Sequence, residues 1–133
     1  MSTPSIAYSF AVLRAVPHPY DGAFVPVGVV VHARQEGFLE SRIITDPEVL
    51  RARVDGVDVE LLARYLRSCE RILAGDENYG PVALQPTSER FHWITAPRSD
   101  VVQSSPVHAG LCLDPAAVLD ELFECYVERR SGR

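Results

Sequence analysis

Phe-Val-Pro-Val-Gly-Val-Val-Val-His, residues 24–32, is the most apolar run in the chain and decides the fold class. Its valines, three of them consecutive from Val29, favour a strand that is buried on both faces. Two residues in the run are unusual for such a strand. Pro26 cannot donate to a strand ladder, and Gly28 indicates a bulge or a close approach of another backbone.

Two more strands are predicted beside this run. Residues 6–16 alternate between two sets of side chains with the period of a strand. A cluster of Pro, Asp and Gly at residues 17–22 then reverses the chain. Residues 35–37 form a second tight reversal, which leads into a predicted third strand at residues 38–44.

Cap residues and apolar stripes predict three helices. Asp46 begins a short helix that we expect to end near Val54, because Asp is a good N-cap and the following Pro is tolerated in the first turn. Asp58 begins a longer helix that ends at Gly75. The apolar stripe of this longer helix consists of Leu61, Leu62, Tyr65, Leu66, Cys69, Ile72 and Leu73. Asp114 begins the third helix, whose apolar residues are Val118, Leu119, Leu122, Phe123, Tyr126 and Val127.

The remaining strands are predicted in the segment between the second and third helices. Residues 76–87 predict a loop with a short extended piece at residues 82–84. Residues 91–95 and 101–104 predict a hairpin with a long loop, and an irregular passage follows Pro106. The whole pattern predicts an α+β fold with a mixed, mainly antiparallel sheet of about five strands and two to three helices packed on one face.

Length and charge limit the class of protein. The 133 residues predict a single domain, residues 1–133, with its own packed core. The formal net charge is -5, and no basic run precedes the arginines at the C-terminus, so we expect no nucleic-acid binding. No leader pattern and no apolar window long enough for a membrane span occur. We therefore expect a cytoplasmic protein without membrane contact.

No common motif for nucleotide binding, hydrolysis or metalloprotease chemistry occurs. The four histidines are far apart in sequence, which favours separate surface or capping roles over a metal site, and no cofactor is expected. Cys69, Cys112 and Cys125 have no C-x-x-C spacing and resemble buried thiols of a reducing compartment. Cys112, in a predicted loop, could be a nucleophile beside His92 or His108, although a packed thiol is the stronger expectation.

Residues 89–110 carry the densest set of hydrogen-bonding side chains, together with the only tryptophan and two of the four histidines. In the predicted hairpin, His92, Gln103 and Ser105 share one sheet face. Arg98 supplies a planar donor fork that suits a carboxylate or a phosphate. The candidate residues for binding a partner or ligand are Arg90, His92, Trp93, Arg98, Ser99, Asp100, Gln103, Ser105 and His108.

The same residues also have a structural explanation. Ser99 and Asp100 are good capping residues for a turn, and Arg98 could pair with Asp100 or Glu89. Gln103 could satisfy the edge of its own sheet. The sequence leaves both explanations open.

Several runs of the chain together resemble a small bacterial family, domain of unknown function family 3037. They are residues 8–14, 16–17, 24–30, 90–100 and 103–108 with Gly110. The resemblance covers nearly the whole chain and implies no reaction, but it implies a HipA-like kinase as a partner, because the genes of the family often sit beside one. The family usually has Asn where this chain has Pro26, and many members have Glu where it has Ala23.

Two functions remain open from the sequence. The first is a cytoplasmic accessory or regulatory protein that acts as a protein-interaction module, with a HipA-like kinase as the expected partner and Trp93, Arg98 and His108 as anchors. The second is a small enzyme or anion-binding protein in which Arg98 holds an anion and His92 or His108 moves a proton. A homodimer is a further expectation, because a sheet edge near Pro26 needs cover.

Overall fold

A central strand, β1 (Ile6–Ala15), is paired on both edges and covered on both faces. The structure is a computed structural model that describes residues 5–98 and 100–129. The other strands are β2 (Val25–Ala33), β3 (Phe38–Ile43), β4 (Val102–Ser104) and β5 (His108–Cys112). The α-helices are α1 (Pro47–Arg53), α2 (Val59–Leu73), α3 (Thr87–Thr95) and α4 (Pro115–Phe123), and a π-helical turn, Glu124–Arg129, continues α4.

The described strands pair only in the antiparallel sense. β2 pairs with one edge of β1, and β3 pairs with the outer edge of β2. The other edge of β1 is shared by two short strands, β4 near its C-terminal end and β5 near its N-terminal end. The α+β fold with a sheet of five strands is therefore confirmed. The described residues contain four α-helices, slightly more than the two to three expected.

Helices cover both faces of the sheet. α1, α2 and α3 pack on the face that presents Ala11, Leu13 and Val30. α4 and the π-helical turn pack on the opposite face, against Phe10 and Val12. The expectation that helices pack on one face thus holds for α1 to α3, and α4 adds a layer on the second face. The second layer is needed because β1 and β2 carry apolar side chains on both faces.

The predicted helix starts are confirmed at three aspartates. Asp46 accepts a hydrogen bond from the backbone N–H of Glu48 at 2.9 Å, and Asp114 accepts one from Ala116 at 3.1 Å. Asp58 accepts from two N–H groups in the first turn of α2. Each carboxylate satisfies a backbone donor that has no partner within its own helix. Within the described ranges, no helix is long and apolar enough to cross a membrane.

The strand predicted at residues 91–95 is wrong, because these residues belong to α3. Phe91 and Ile94 are buried three residues apart, on one face of that helix. Phe, Trp, Ile and Thr have strand propensity, but tertiary packing overrides a propensity of about 1 kcal/mol. The predicted hairpin of residues 91–104 therefore does not form. Its second strand does, as β4.

Two predictions for irregular segments also need correction. The passage after Pro106 contains β5, which pairs with residues 6–10 of β1. The short piece at residues 82–84 is not extended, because a 3₁₀ turn, Pro81–Leu84, forms there. A proline precedes each segment, Pro81 in one case and Pro106 in the other, and Gly110 lies within β5, which obscured the pattern in the sequence. Only contact with β1 gives β5 its register.

A bulge interrupts the pairing of β1 with β2. Leu13 faces Gly28 but Arg14 faces Pro26, so Val27 is the extra residue on β2. A Cβ on Gly28 would lie 3.0 Å from the carbonyl oxygen of Arg42 in β3. Gly28 therefore provides both features that the sequence indicates, a bulge and a close backbone approach.

The two edges of the sheet are β3 on one side and β4 with β5 on the other. The expectation of a sheet edge near Pro26 is wrong, because β2 lies between β1 and β3. Pro26 can stand in an interior strand since the pairing with β3 begins at Gly28, so no donor is missing from that ladder.

We predict that Gly28→Ala lowers the free energy of unfolding by about 1–3 kcal/mol, because the new methyl group meets the backbone of β3. Gly110→Ala is the matched comparison. There the new Cβ would lie 2.7 Å from the hydroxyl oxygen of Tyr8, and a side chain can move away, so the loss should be smaller. Chemical denaturation measures both. Equal stability of wild type and Gly28→Ala would contradict the close approach.

Candidate functional site

The structure brings only some of the candidate residues together: His92, Trp93 and Arg98 line one shallow depression beside α3, and the other described candidates do not line it. Arg90, His92 and Trp93 lie on α3, and Gln103 lies on β4. His108 lies on β5, beyond the buried Ser105. Arg98 and Asp100 lie between α3 and β4, and Ser99 falls outside the described residues. Because α3 is a helix, the expected neighbourhood of His92, Gln103 and Ser105 on one sheet face does not exist.

Arg90 ties α3 to the end of α2. Its Nη1 donates to the carbonyl oxygen of Leu73 at 2.7 Å, and its Nε donates to that of Gln85 at 2.9 Å. Leu73 is the last residue of α2, so Arg90 satisfies a carbonyl that has no partner within its own helix. The side chain therefore holds the fold together.

Arg98 is also bound within the chain. Its guanidinium lies over the ring of Trp93, 5.1 Å from the centroid, and donates to the carbonyl oxygen of the same residue. The second terminal nitrogen donates to the hydroxyl of Tyr65 on α2 at 3.0 Å. Trp93 itself is half-buried and packs against the core. Arg98 thus clamps the end of α3 to α2, and each of its two terminal nitrogens makes a hydrogen bond within the chain.

Ser105 repairs a break in the strand ladder. Pro106 has no N–H, and one extra residue separates the register of β4 from that of β5. The Oγ of Ser105 accepts the backbone N–H of Val12 at 2.9 Å, while its own N–H donates to the carbonyl oxygen of Val12 at 2.8 Å. The serine is only 5% exposed. Gln103 is likewise used locally, because its amide donates to the carbonyl oxygen of Asp100.

The two candidate histidines lie on different sides of the sheet. His92 is exposed on α3, which packs on the face of Ala11 and Leu13. His108 is exposed on β5 and stacks beside Phe10, which belongs to the opposite face. These histidines cannot serve one site together.

Neither Cys69 nor Cys112 shows an activated thiolate. Cys69 is buried, and desolvation raises the pKa of its thiol to about 11. Cys112 is half-buried on β5, with a pKa raised chiefly by desolvation, and it lies four residues from His108, about 13 Å along a strand. Cys125 is exposed, so the expectation that all three are buried is wrong for it. Among the residues that the structure describes, no three His, Cys, Asp or Glu side chains gather as metal ligands.

An apolar concavity with exposed walls lies between α2 and the start of β4. We call it the α2–β4 groove; it has a volume of about 310 Å³ and is lined by Val57, Asp58, Leu61, Leu62, Tyr65, Asp100, Val101 and Val102. Leu61 is 57% exposed and Val101 is 40% exposed. The backbone of Val101 is fixed, because its carbonyl oxygen accepts the N–H of Val16. Both walls of the groove are thus held by the fold.

The rim of the α2–β4 groove is acidic. Of its eight described lining residues, Asp58 and Asp100 are acidic and none is basic. Asp58 stays close to the groove because it caps α2, and Asp100 is exposed. Tyr65 forms the inner wall, where the hydrogen bond from Arg98 fixes its hydroxyl. Asp100 thus belongs to the groove directly, and Arg98 belongs to it through Tyr65.

The groove was not predicted from the sequence, because Leu61 lies at the margin of the apolar stripe of α2 and was counted as part of that stripe. The buried residues of α2 are Val59, Leu62, Ala63, Leu66, Cys69 and Leu73. Leu61 precedes Leu62 by one position, which turns its side chain about 100° away from the centre of the stripe. An apolar residue at the margin of a stripe was the one available signal.

One further buried polar residue, His32, connects the sheet to α3. Its Nε2 shares a hydrogen bond of 3.2 Å with the hydroxyl of Thr87, and its ring stacks 5.1 Å from the ring of Phe91. Burial lowers the pKa of His32 below its ordinary value of 6.5, and the charges of Arg34 and Arg90 lower it further. Folding thus favours the neutral imidazole.

The comparisons with known proteins now give the family. The family model described as protein of unknown function (DUF3037) matches residues 10–127, and the chain belongs to this family. No curated protein and no solved structure matches the chain. The membership agrees with the resemblance of the sequence and assigns no activity.

We predict that Ser105→Ala lowers the free energy of unfolding by about 1–3 kcal/mol, because the N–H of Val12 loses its acceptor in a buried setting. Ser104→Ala is the matched control, since its hydroxyl is half-buried and donates only to the neighbouring carbonyl oxygen of Ser105. Thermal or chemical denaturation compares the two variants. Equal losses of stability in the two variants would show that the hydrogen bond from Val12 to Ser105 contributes no more than the bond made by Ser104.

We predict that the protein loses stability as the pH falls below 6.5 and through the lower folded pKa of His32, because the unfolded chain takes up this proton more readily. His32→Gln should remove this part of the pH dependence. His92→Gln, at an exposed position, should retain it. Denaturation curves at a series of pH values measure the slopes, and the same slope in wild type and His32→Gln would refute the assignment.

Proposed function

We propose that the protein is a bacterial, cytoplasmic accessory or regulatory protein that acts as a protein-interaction module and binds its partner in the α2–β4 groove. The observation that carries the proposal is the exposure of Leu61 and Val101 on walls that the fold holds in place. Apolar side chains in a rigid concavity can be desolvated by a partner at little cost in conformational entropy. This is the setting in which interface anchors contribute most.

The charge of the groove supports a particular kind of partner. Asp58 and Asp100 would favour a segment that carries an apolar anchor next to an arginine or lysine. The net charge of -5 acts in the same direction over longer distances. The proposed partner segment is therefore apolar and cationic.

A HipA-like kinase is the proposed source of this segment, since the genes of family members often sit beside one. The alternative of an enzyme or anion-binding protein has less support from the geometry. Each terminal nitrogen of Arg98 makes a hydrogen bond within the chain, to Tyr65 or to Trp93, and His108 lies on the other face of the sheet from His92. The exposed apolar groove therefore fits an interaction module better.

We predict that Leu61→Arg weakens binding to a HipA-like kinase by about tenfold or more, which corresponds to about 1.4 kcal/mol. The new cation repels the cationic segment and blocks the groove. Leu61 is mostly exposed, so the variant should keep the melting temperature of the wild type. Isothermal titration calorimetry with the purified kinase measures the affinity.

Leu84→Arg is the matched control, because Leu84 is 66% exposed and does not line the groove. It should bind like the wild type. Asp100→Asn should weaken binding by a smaller factor and reduce its dependence on salt. Unchanged affinity of Leu61→Arg would reject the groove as the binding surface, and absence of binding by the wild type would reject the kinase as the partner.

A further inference from the structure

The outer edge of β5 presents an unusual surface. Among the described residues, β5 pairs only with β1, so the backbone N–H and C=O groups on its other side are not used in the sheet. Val107, Leu111 and Leu113 are 48%, 71% and 65% exposed. An edge strand with apolar side chains is a template for pairing with another strand. We call this surface, residues 107–113, the β5 edge.

The opposite edge of the sheet does not share this property. β3 carries Glu40 and Arg42, and Arg42 forms an ion pair with Asp120 of α4 at 3.2 Å. Charged side chains on an edge strand oppose pairing with another chain. The β5 edge has no charged residue between Pro106 and Asp114. The fold thus protects one edge and leaves the other open.

We propose that the β5 edge pairs with the β5 edge of a second copy of this chain, in an antiparallel arrangement around a two-fold axis at Gly110. An axis at this residue places Ala109 of each copy opposite Leu111 of the other copy, so the interface contains two such pairs. A small side chain thus faces a large one in each pair, which avoids both a gap and a clash. The sequence of β5 is therefore complementary to itself.

The same register also pairs the exposed apolar residues that flank β5, Val107 and Leu113. It sets Val107 opposite Leu113 of the other copy, so the exposed apolar residues of two edges form one continuous stripe across the interface. The acidic Asp114 faces Pro106, and no two like charges face each other. A pair of chains that each carry a net charge of -5 can therefore approach along this edge without a local repulsion.

The part of the sheet that the helices leave open adjoins the β5 edge. Next to the β5 edge, a shallow depression is lined by Ala7, Ser9, Ala109 and Leu111, with His32 at its far side. Ala7 and Ala109 are exposed there. Pairing of two edges joins the two depressions into one surface and places Leu111 of each copy beside Ala109 of the other.

Sedimentation equilibrium over a wide range of protein concentrations tests the proposal. The wild type should show a reversible monomer–dimer equilibrium. Leu111→Lys should weaken the dimer by about tenfold or more, because it replaces two apolar cross-strand contacts with ammonium groups. The residue is 71% exposed, so the monomer should keep its melting temperature. Leu84→Lys is the matched control, at an exposed leucine outside the edge, and should dimerise like the wild type.

The double variant Ala109→Glu/Leu111→Lys tests the register itself. An axis at Gly110 sets each introduced carboxylate opposite an introduced ammonium group of the other copy, so the double variant should regain most of the lost association. A wild type that stays monomeric at every concentration would overturn the proposal and leave the edge to an extended segment of another protein. Loss in Leu111→Lys without recovery in the double variant would overturn the two-fold register.

Discussion

The strand β1 is the constraint on which the structure depends. It is buried on both faces and paired on both edges, so each of its backbone groups needs a partner inside the protein. On the side of β4 and β5 the pairing is interrupted, where Pro106 and an extra residue separate the two strands. The Oγ of Ser105 supplies the missing acceptor for Val12. One buried hydroxyl therefore allows two short strands to act as one edge of the sheet.

The polar residues between α3 and β5 follow from the same constraint. This segment leaves α3, turns, and then pairs with the interior strand β1 in two places, first as β4 and then as β5. Arg90 and Arg98 hold its beginning against α2, and Ser105 holds its end against β1. A dense run of hydrogen-bonding side chains thus marks an irregular connection in the fold. The two surfaces that we propose for binding, the α2–β4 groove and the β5 edge, carry exposed apolar residues instead.

Much of the fold could be predicted from local chemistry. The caps at Asp46, Asp58 and Asp114 begin helices, and the valines of β2 form a strand buried on both faces. The helix α3 could not be predicted in this way, because its residues have strand propensity and only packing selects the helix. β5 was missed for a related reason, since Gly110 weakens the strand pattern and only the pairing with β1 gives this segment its register. Such choices depend on contacts between residues about 100 positions apart.

The candidate site was harder to predict than the fold. Arginines, serines and histidines have the same appearance in a sequence whether they bind a ligand or a neighbouring helix. Asp100 and, through Tyr65, Arg98 belong to the proposed site, while Arg90, Gln103 and Ser105 are used within the chain. Leu61 was missed because it is adjacent in sequence to Leu62, and a shift of one residue along a helix is enough to separate an exposed leucine from a buried one.

The most direct test of the proposed interaction is backbone hydrogen–deuterium exchange of the protein with and without the HipA-like kinase. If the partner occupies the α2–β4 groove, exchange should slow at the start of α2 and in residues 100–102, and should stay unchanged in α4 on the opposite face. Unchanged exchange around the groove in the presence of the kinase, or protection confined to α4, would contradict the account.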